Sequence, residues 1–201
     1  MPADGRRLWV WELLRPLVVL VMLGVLLVGA TGVWPPTMAV ESGSMSPHIQ
    51  KGDLVVVTEP SRWTATATSD SGVVTARQAD GYRRFGGPGD VVVFDTPDWE
   101  GSPVIHRAQF HVEAGENWYG RAEQSYLPSD VDNCTELLYC PAPHAGYITK
   151  GDANPYYDQA RGRVAPVRTR WIQAKGGVKV SDFGWPRLFL SGKADLPVGG
   201  S

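Results

Sequence analysis

From Pro16 to Trp34 the chain reads PLVVLVMLGVLLVGATGVW, 19 residues without a charge. A helix needs about 20 apolar residues to cross the hydrocarbon core of a bilayer, so this run predicts one transmembrane helix. Whatever follows must fold beside a membrane. Arg6, Arg7 and Arg15 precede the run, Trp9 and Trp11 offer interfacial anchors, and Trp34, Pro35 and Pro36 close its far end. Basic flanks stay in the cytoplasm, which predicts residues 1–15 cytoplasmic, 16–34 transmembrane and 35–201 extracytoplasmic. A removable secretory signal is the rival, because Val28, Gly29 and Ala30 present small residues at a cleavage position. The length of the run and the tight Pro35-Pro36 juncture favour a retained anchor. Arg6-Arg7 as a twin-arginine address lacks supporting neighbours.

The 201 residues leave room for one domain of ordinary size after the anchor. Its 19 Lys plus Arg against 21 Asp plus Glu give a net charge of -2, which excludes the strong positive field of a nucleic-acid binder. Downstream, β-branched runs bounded by Gly, Pro and Asp predict strands at 54–57, 90–94, 103–112 and 146–150. WIQAK at 171–175 and VKV at 178–180 predict two more, joined by a Gly176-Gly177 hairpin turn. Residues 59–86 and 113–145 exceed common loop lengths and are expected to be insertions at the rim of the sheet or mobile segments near a site. DFGWPRLFL at 182–190 is too short to span a bilayer. A final strand plugging the core is the preferred reading of it, and an aromatic edge at the membrane interface the alternative.

Cys134 and Cys140 fall in the external half, where a disulfide persists. They either bridge, closing the loop DNCTELLYC, or serve as two small buried hydrophobes; the bridge is preferred. Asn133-Cys134-Thr135 also matches the N-glycosylation pattern. His48, His111 and His144 are scattered without ligand spacing, so they read as solvent-facing or core residues, and no metal or other cofactor is expected.

Three fragments matter for chemistry: Ser42-Gly43-Ser44-Met45 before the first strand, Ile105-His106-Arg107 inside a strand, and Lys150-Gly151-Asp152 opening a loop that ends at Asp158. Taken singly, they are a linker, a half-buried histidine and turn-forming aspartates. Taken in order, ESGSMSPHIQKGDLVVV, GDVVVF, VIHRA and YITKGDANPYYD resemble the successive boxes of type I signal peptidases. The resemblance covers most of residues 16–160 and selects the archaeal and endoplasmic-reticulum branch, because His106 stands where the bacterial branch carries a lysine base.

That resemblance implies a mainly β fold: a single N-terminal transmembrane helix followed by a β-rich signal-peptidase-like catalytic domain. It implies a membrane-bound serine endopeptidase, a hydrolase that cuts signal peptides from secreted preproteins after small residues at the outer face. The site would lie in the cytoplasmic membrane or its endoplasmic-reticulum equivalent. Partners would be signal peptides, membrane lipid and, as a further candidate, the protein-export channel. Ser44 takes the nucleophile's place and His106 that of the general base and acid, since a serine hydroxyl needs a neighbouring proton acceptor to attack at neutral pH. A carboxylate must orient the imidazole. Asp158 matches the aspartate completing the family's triad, and Asp152 is the supporting aspartate that braces the loop. Ser44's backbone NH and Ser42's hydroxyl match the oxyanion donors. Ala153 departs from the family's asparagine at that place and puts one supporting hydrogen bond in doubt. Met45 is expected to pack under the serine loop, and Ser46 to shape the turn before Pro47. Ten residues from Trp34 to Ser44 span at most about 36 Å, so the nucleophile works near the membrane. Two rival functions remain: a self-cleaving or regulatory membrane serine protease on the same scaffold, and a non-enzymatic tethered β domain that binds surface proteins.

Overall fold

An uninterrupted apolar run has every reason to form a helix, and it does, although its ends differ from those predicted. The computed structural model describes residues 4–63, 71–97 and 101–193. Helix α1 spans Asp4–Thr31 and is long and apolar enough to cross a membrane over Leu14–Thr31. The helix thus begins before the predicted 16–34 run and ends three residues short of it, with residues 32–34 outside. Pro16 forfeits one backbone hydrogen bond without ending the helix. Gly32 does end it, adopting φ +74° while its amide donates to Val28 O at 2.8 Å, the left-handed cap that glycine takes without strain. Of Arg6, Arg7 and Trp9 only the helical backbone falls within the described structure.

The last carbonyls of α1 have no partners within the helix, and the folded domain supplies them. Arg62 donates to Gly29 O and Ala30 O, the Trp63 indole NH to Ala30 O at 3.2 Å, and the Glu59 amide to Thr31 O at 2.9 Å. The start of the first insertion thus fastens the domain onto the helix end, with exposed Trp34 and Trp63 at the junction. Residues 64–70 of that insertion lie outside the described residues.

Eight strands follow: β1 Thr37–Ala39, β2 Leu54–Thr58, β3 Arg83–Arg84, β4 Gly87–Pro88, β5 Val91–Phe94, β6 Val104–Val112, β7 Gly146–Lys150 and β8 Ile172–Val180. Six form one sheet in the order β1-β2-β8-β5-β6-β7, with antiparallel neighbours throughout, and β3 with β4 makes a separate small hairpin. All four residues of β5 are buried, which explains why VVVF shows no polar alternation: structure covers both of its faces.

β8 corrects the predicted hairpin at Gly176-Gly177. Ile172–Val180 is one strand, paired with β5 through its first half and with β2 through its second. Neither glycine takes the positive φ that the hairpin turn requires. Their use is close approach: a Cβ on Gly176 would lie 2.7 Å from the Phe85 ring, and one on Gly177 would lie 3.3 Å from Val56 O. The C-terminal stretch is corrected too. Instead of a final strand it forms helix α2, Trp185–Leu190, with Pro186 in its first turn, where a missing NH does no harm. Leu188 still plugs the core, while Phe189 and Leu190 remain exposed.

The second insertion is a packed lobe. Three short 3-10 turns carry Trp118, Leu127, Leu137, Cys134 and Cys140 into one buried cluster with Phe110, Ile148 and Tyr157 of the sheet side. A disulfide joins Cys134 and Cys140. Tyr157, which this lobe buttresses edge-on through Phe110, Trp118 and Tyr126, immediately precedes Asp158.

Candidate active site

The turn carrying Ser44 is tied at every level. Val40 and Gly52 close its base, since Val40 N donates to Asp53 O and Gly52 N to Val40 O, both at 2.9 Å. Within it, Ser46 N reaches Gly43 O at 3.0 Å, while His48 N and Ile49 N share Met45 O at 3.1 and 3.0 Å. Met45 and Ile49 are fully buried among Val55, Val57 and Val93, so two side chains pin the turn to the sheet. Met45 packs beneath the serine loop as expected, and Ser46 shapes the turn. A flexible linker would show none of this.

His106 lies on β6 opposite Val92, and Asp158 follows β7. His106 Nε2 stands 3.1 Å from Ser44 Oγ and Nδ1 stands 2.6 Å from Asp158 Oδ2. The same carboxylate oxygen accepts the Thr149 hydroxyl at 2.8 Å, and Gln159 Nε2 donates to that hydroxyl at 3.3 Å. A carboxylate oxygen receiving two donors leaves the proton on Nδ1 and the lone pair on Nε2, facing the serine. This tautomer can take a proton from Ser44. Ser44, His106 and Asp158 are thus brought into one chain of contacts, and sequence reasoning missed Thr149 and Gln159, whose partners are set by the β7 backbone.

Ser42 Oγ lies 3.2 Å from Ser44 Oγ, and no described residue accepts from the Ser44 amide. Both candidate oxyanion donors therefore sit beside the hydroxyl. Asp152 touches neither Ser44 nor His106. Its two oxygens take Arg107 Nε at 2.8 Å and Nη2 at 2.6 Å, and Oδ2 also takes His48 Nδ1 at 2.8 Å. Burial pushes the Asp152 carboxyl upward, but the hydrogen bonds and charge of Arg107, helped by His48, outweigh it and hold the group below its ordinary value. The loop around Asp152 also braces the Ser44 turn. Ala153 N donates to Ser44 O at 2.9 Å, so the backbone at this departure from the family pattern still supports the serine, and Asp152 N faces Met45 Sδ at 3.4 Å. Lys150 is buried with its ammonium on Gly151 O and over the Tyr126 ring, and burial pushes its pKa down.

A groove of about 710 Å³ runs from Ser44 and His106 along the sheet to Trp34 and Pro35 at the end of the apolar helix. Val40, Val93, Ile105 and Ala174 give it apolar walls, and Leu188 of α2 lines it too. At its rim Glu41 accepts from Ser102 Oγ at 2.8 Å and from Lys193 Nζ at 2.7 Å.

The remaining histidines are structural neighbours. His111 meets the Tyr147 ring and His144 the Trp171 ring. No group of three or more His, Cys, Asp or Glu among the described residues is arranged to hold a metal. Asn133 is exposed, with its side-chain NH2 donating to Glu136 at 2.7 Å. No family model matches the chain and a search of the curated proteins finds no match, so any functional reading rests on the geometry and the residue pattern.

Proposed function

We propose that the chain is a membrane-anchored serine endopeptidase in which Ser44 is the nucleophile, His106 the general base and acid, and Asp158 the residue that orients the imidazole. The observation that carries this reading is the Ser44–His106–Asp158 chain of 3.1 and 2.6 Å at the head of an apolar groove. In the acylation step Ser44 Oγ bonds to the scissile carbonyl carbon while its proton passes to His106 Nε2. The oxyanion that forms lies within reach of the Ser44 amide and the Ser42 hydroxyl. Collapse breaks the C–N bond, and Nε2 returns the proton to the leaving amine. Water, deprotonated by the same nitrogen, then frees the acyl product and regenerates Ser44.

The substrate class follows from where the groove runs. Its lining includes both Ser44 and residues 33–35 just beyond the apolar helix, which favours a segment emerging from a bilayer beside α1. Together with the resemblance to type I signal peptidases, which implies cleavage after small residues, this favours signal peptides of secreted preproteins. Arg6, Arg7 and Arg15 favour a cytoplasmic N-terminus, and the Cys134–Cys140 bridge suits an oxidising compartment. Processing of a reporter preprotein by membranes carrying the wild type, Ser44→Ala, His106→Ala or His106→Lys tests it. Wild type should cut and all three variants should not. Undiminished cleavage by Ser44→Ala would overturn the enzyme reading, and full activity of His106→Lys would overturn the Ser/His assignment.

A further inference from the structure

His48 sits four residues after Ser44 on the same turn, half-exposed, and its Nδ1 binds Asp152 at 2.8 Å. Resting on the catalytic reading of Ser44, we propose that His48 is a positioning residue: through Asp152 it holds the Ser44 turn in register with His106.

Two chain neighbours set up the geometry. His106 and Arg107 leave β6 on opposite sides, as successive strand residues must. The turn is therefore attached to β6 twice, once by Ser44 meeting His106 and once by His48 meeting the Asp152 that Arg107 holds. The second attachment is stiff. Arg107 is buried and binds Asp152 through two nitrogens, while its remaining nitrogen donates to Arg84 O at 3.0 Å and Gly89 O at 3.2 Å. Of the side chains at residues 43–49, only His48 bonds to the side chains of this pair, while Met45 Sδ accepts from the Asp152 backbone amide at 3.4 Å.

Space has been left for the ring. Gly86, in the turn between β3 and β4, has φ +72°, and a Cβ there would lie 2.6 Å from His48 Cδ2. Such a carbon would push the imidazole off Asp152. The site needs this exactness because Ser44 and His106 stand at 3.1 Å, near the long end of a good hydrogen bond. A displacement of about 1 Å at a reacting group can lower a rate by around a hundredfold.

The tether predicts an unusual order among variants. Asparagine places its amide nitrogen where Nδ1 of histidine lies, whereas glutamine reaches the position of Nε2. His48→Asn should therefore keep the bond to Asp152, and His48→Gln and His48→Ala should lose it. The test uses the full chain in nanodiscs with p-nitrophenyl acetate. Ser44 Oγ takes the acetyl group, p-nitrophenolate leaves, and the hydroxyl proton goes to His106; the rate of Ser44→Ala is subtracted. Reporter preprotein cleavage, intact mass and thermal unfolding are followed in parallel.

Expected is an acylation rate, read as p-nitrophenolate released per Ser44, lowered by about tenfold or more in His48→Ala and His48→Gln with the unfolding temperature held, and a rate restored to within about threefold in His48→Asn. Rates equal to wild type in His48→Ala would overturn the proposal. So would a loss of acylation rate that tracks a fall in unfolding temperature, or a His48→Asn no faster than His48→Gln. Wild type that acylates but leaves the preprotein intact would sink the signal-peptide reading while the acylation series still decides the role of His48. An unreactive wild-type Ser44 would overturn both.

Discussion

Among the described residues two histidine–aspartate pairs share the same construction, and only one faces a serine hydroxyl. In each, an imidazole Nδ1 meets a carboxylate Oδ2, at 2.6 Å for His106–Asp158 and 2.8 Å for His48–Asp152. Their surroundings differ. His106 and Asp158 have side chains 9 % and 5 % exposed, and the carboxylate receives only a hydroxyl besides the ring. Among the described residues no cation is hydrogen-bonded to Asp158, although the Lys150 ammonium acts on it through space. His48 is 35 % exposed and shares its aspartate with the Arg107 guanidinium, which supplies the balancing charge already. The lesson is that a His–Asp pair becomes a candidate base through what faces Nε2 and through how little else compensates the carboxylate.

A set of variants tests that contrast. The largest effect should come from Asp158→Asn, whose amide NH2 can donate to Nδ1, stabilise the wrong tautomer and lower cleavage by about four orders of magnitude with folding intact. Preprotein cleavage rates with thermal unfolding check it; a loss of less than about tenfold would mean that Asp158 does not orient His106. Arg107→Leu is next. It removes the cation from a largely enclosed Asp152, leaving His48 as partner of that carboxylate, and should destabilise the fold by about 3 kcal/mol, read from urea denaturation. The corresponding change at His48 leaves the Arg107–Asp152 pair whole and should leave stability nearly unchanged.

Acid titration separates the pairs further. Because the folded Asp152 carboxyl lies below its unfolded value of about 3.9, its stabilisation is complete above that pH and is lost as pH falls through the folded pKa. Asp152→Asn should flatten the fall in unfolding temperature below about pH 4, and an unchanged slope would show that other carboxylates govern acid unfolding. The smallest effect should come from Cys134→Ser with Cys140→Ser. Opening so short a loop should cost about 2 kcal/mol, and it tests whether the lobe behind Tyr157 stiffens Asp158. Cleavage that falls more than the unfolded fraction explains would place the lobe in support of the catalytic pair.

Much of the strand pattern was legible because β-branched runs between turn residues have few other uses. β2, β5, β6 and β7 lie within a residue or two of their predicted positions. Gly176-Gly177 misled because glycine marks both tight turns and close approaches, and only the Phe85 ring pressing on Gly176 distinguishes them. The 182–190 stretch misled for a related reason: its aromatic and apolar residues suit a strand, yet Pro186 suits the first turn of a helix equally well. The 113–145 segment looked like loop because its apolar residues are spaced by no period, and its core exists only where Trp118 and Leu137 meet Phe110 and Tyr157.

At the candidate site the sequence by itself determined the residue types, their order along the chain and the apolar run that precedes them, since those depend on local composition. It also left Asp152 and Asp158 as alternatives on spacing, with the family resemblance ranking them. The tertiary structure alone decided which aspartate meets His106 and which meets Arg107. It also turned His48 from a scattered histidine, solvent-facing or core, into a partner of Asp152. The reason is physical: hydrogen bonds between side chains 52 and 104 residues apart depend on sheet register and loop path, which no local pattern encodes.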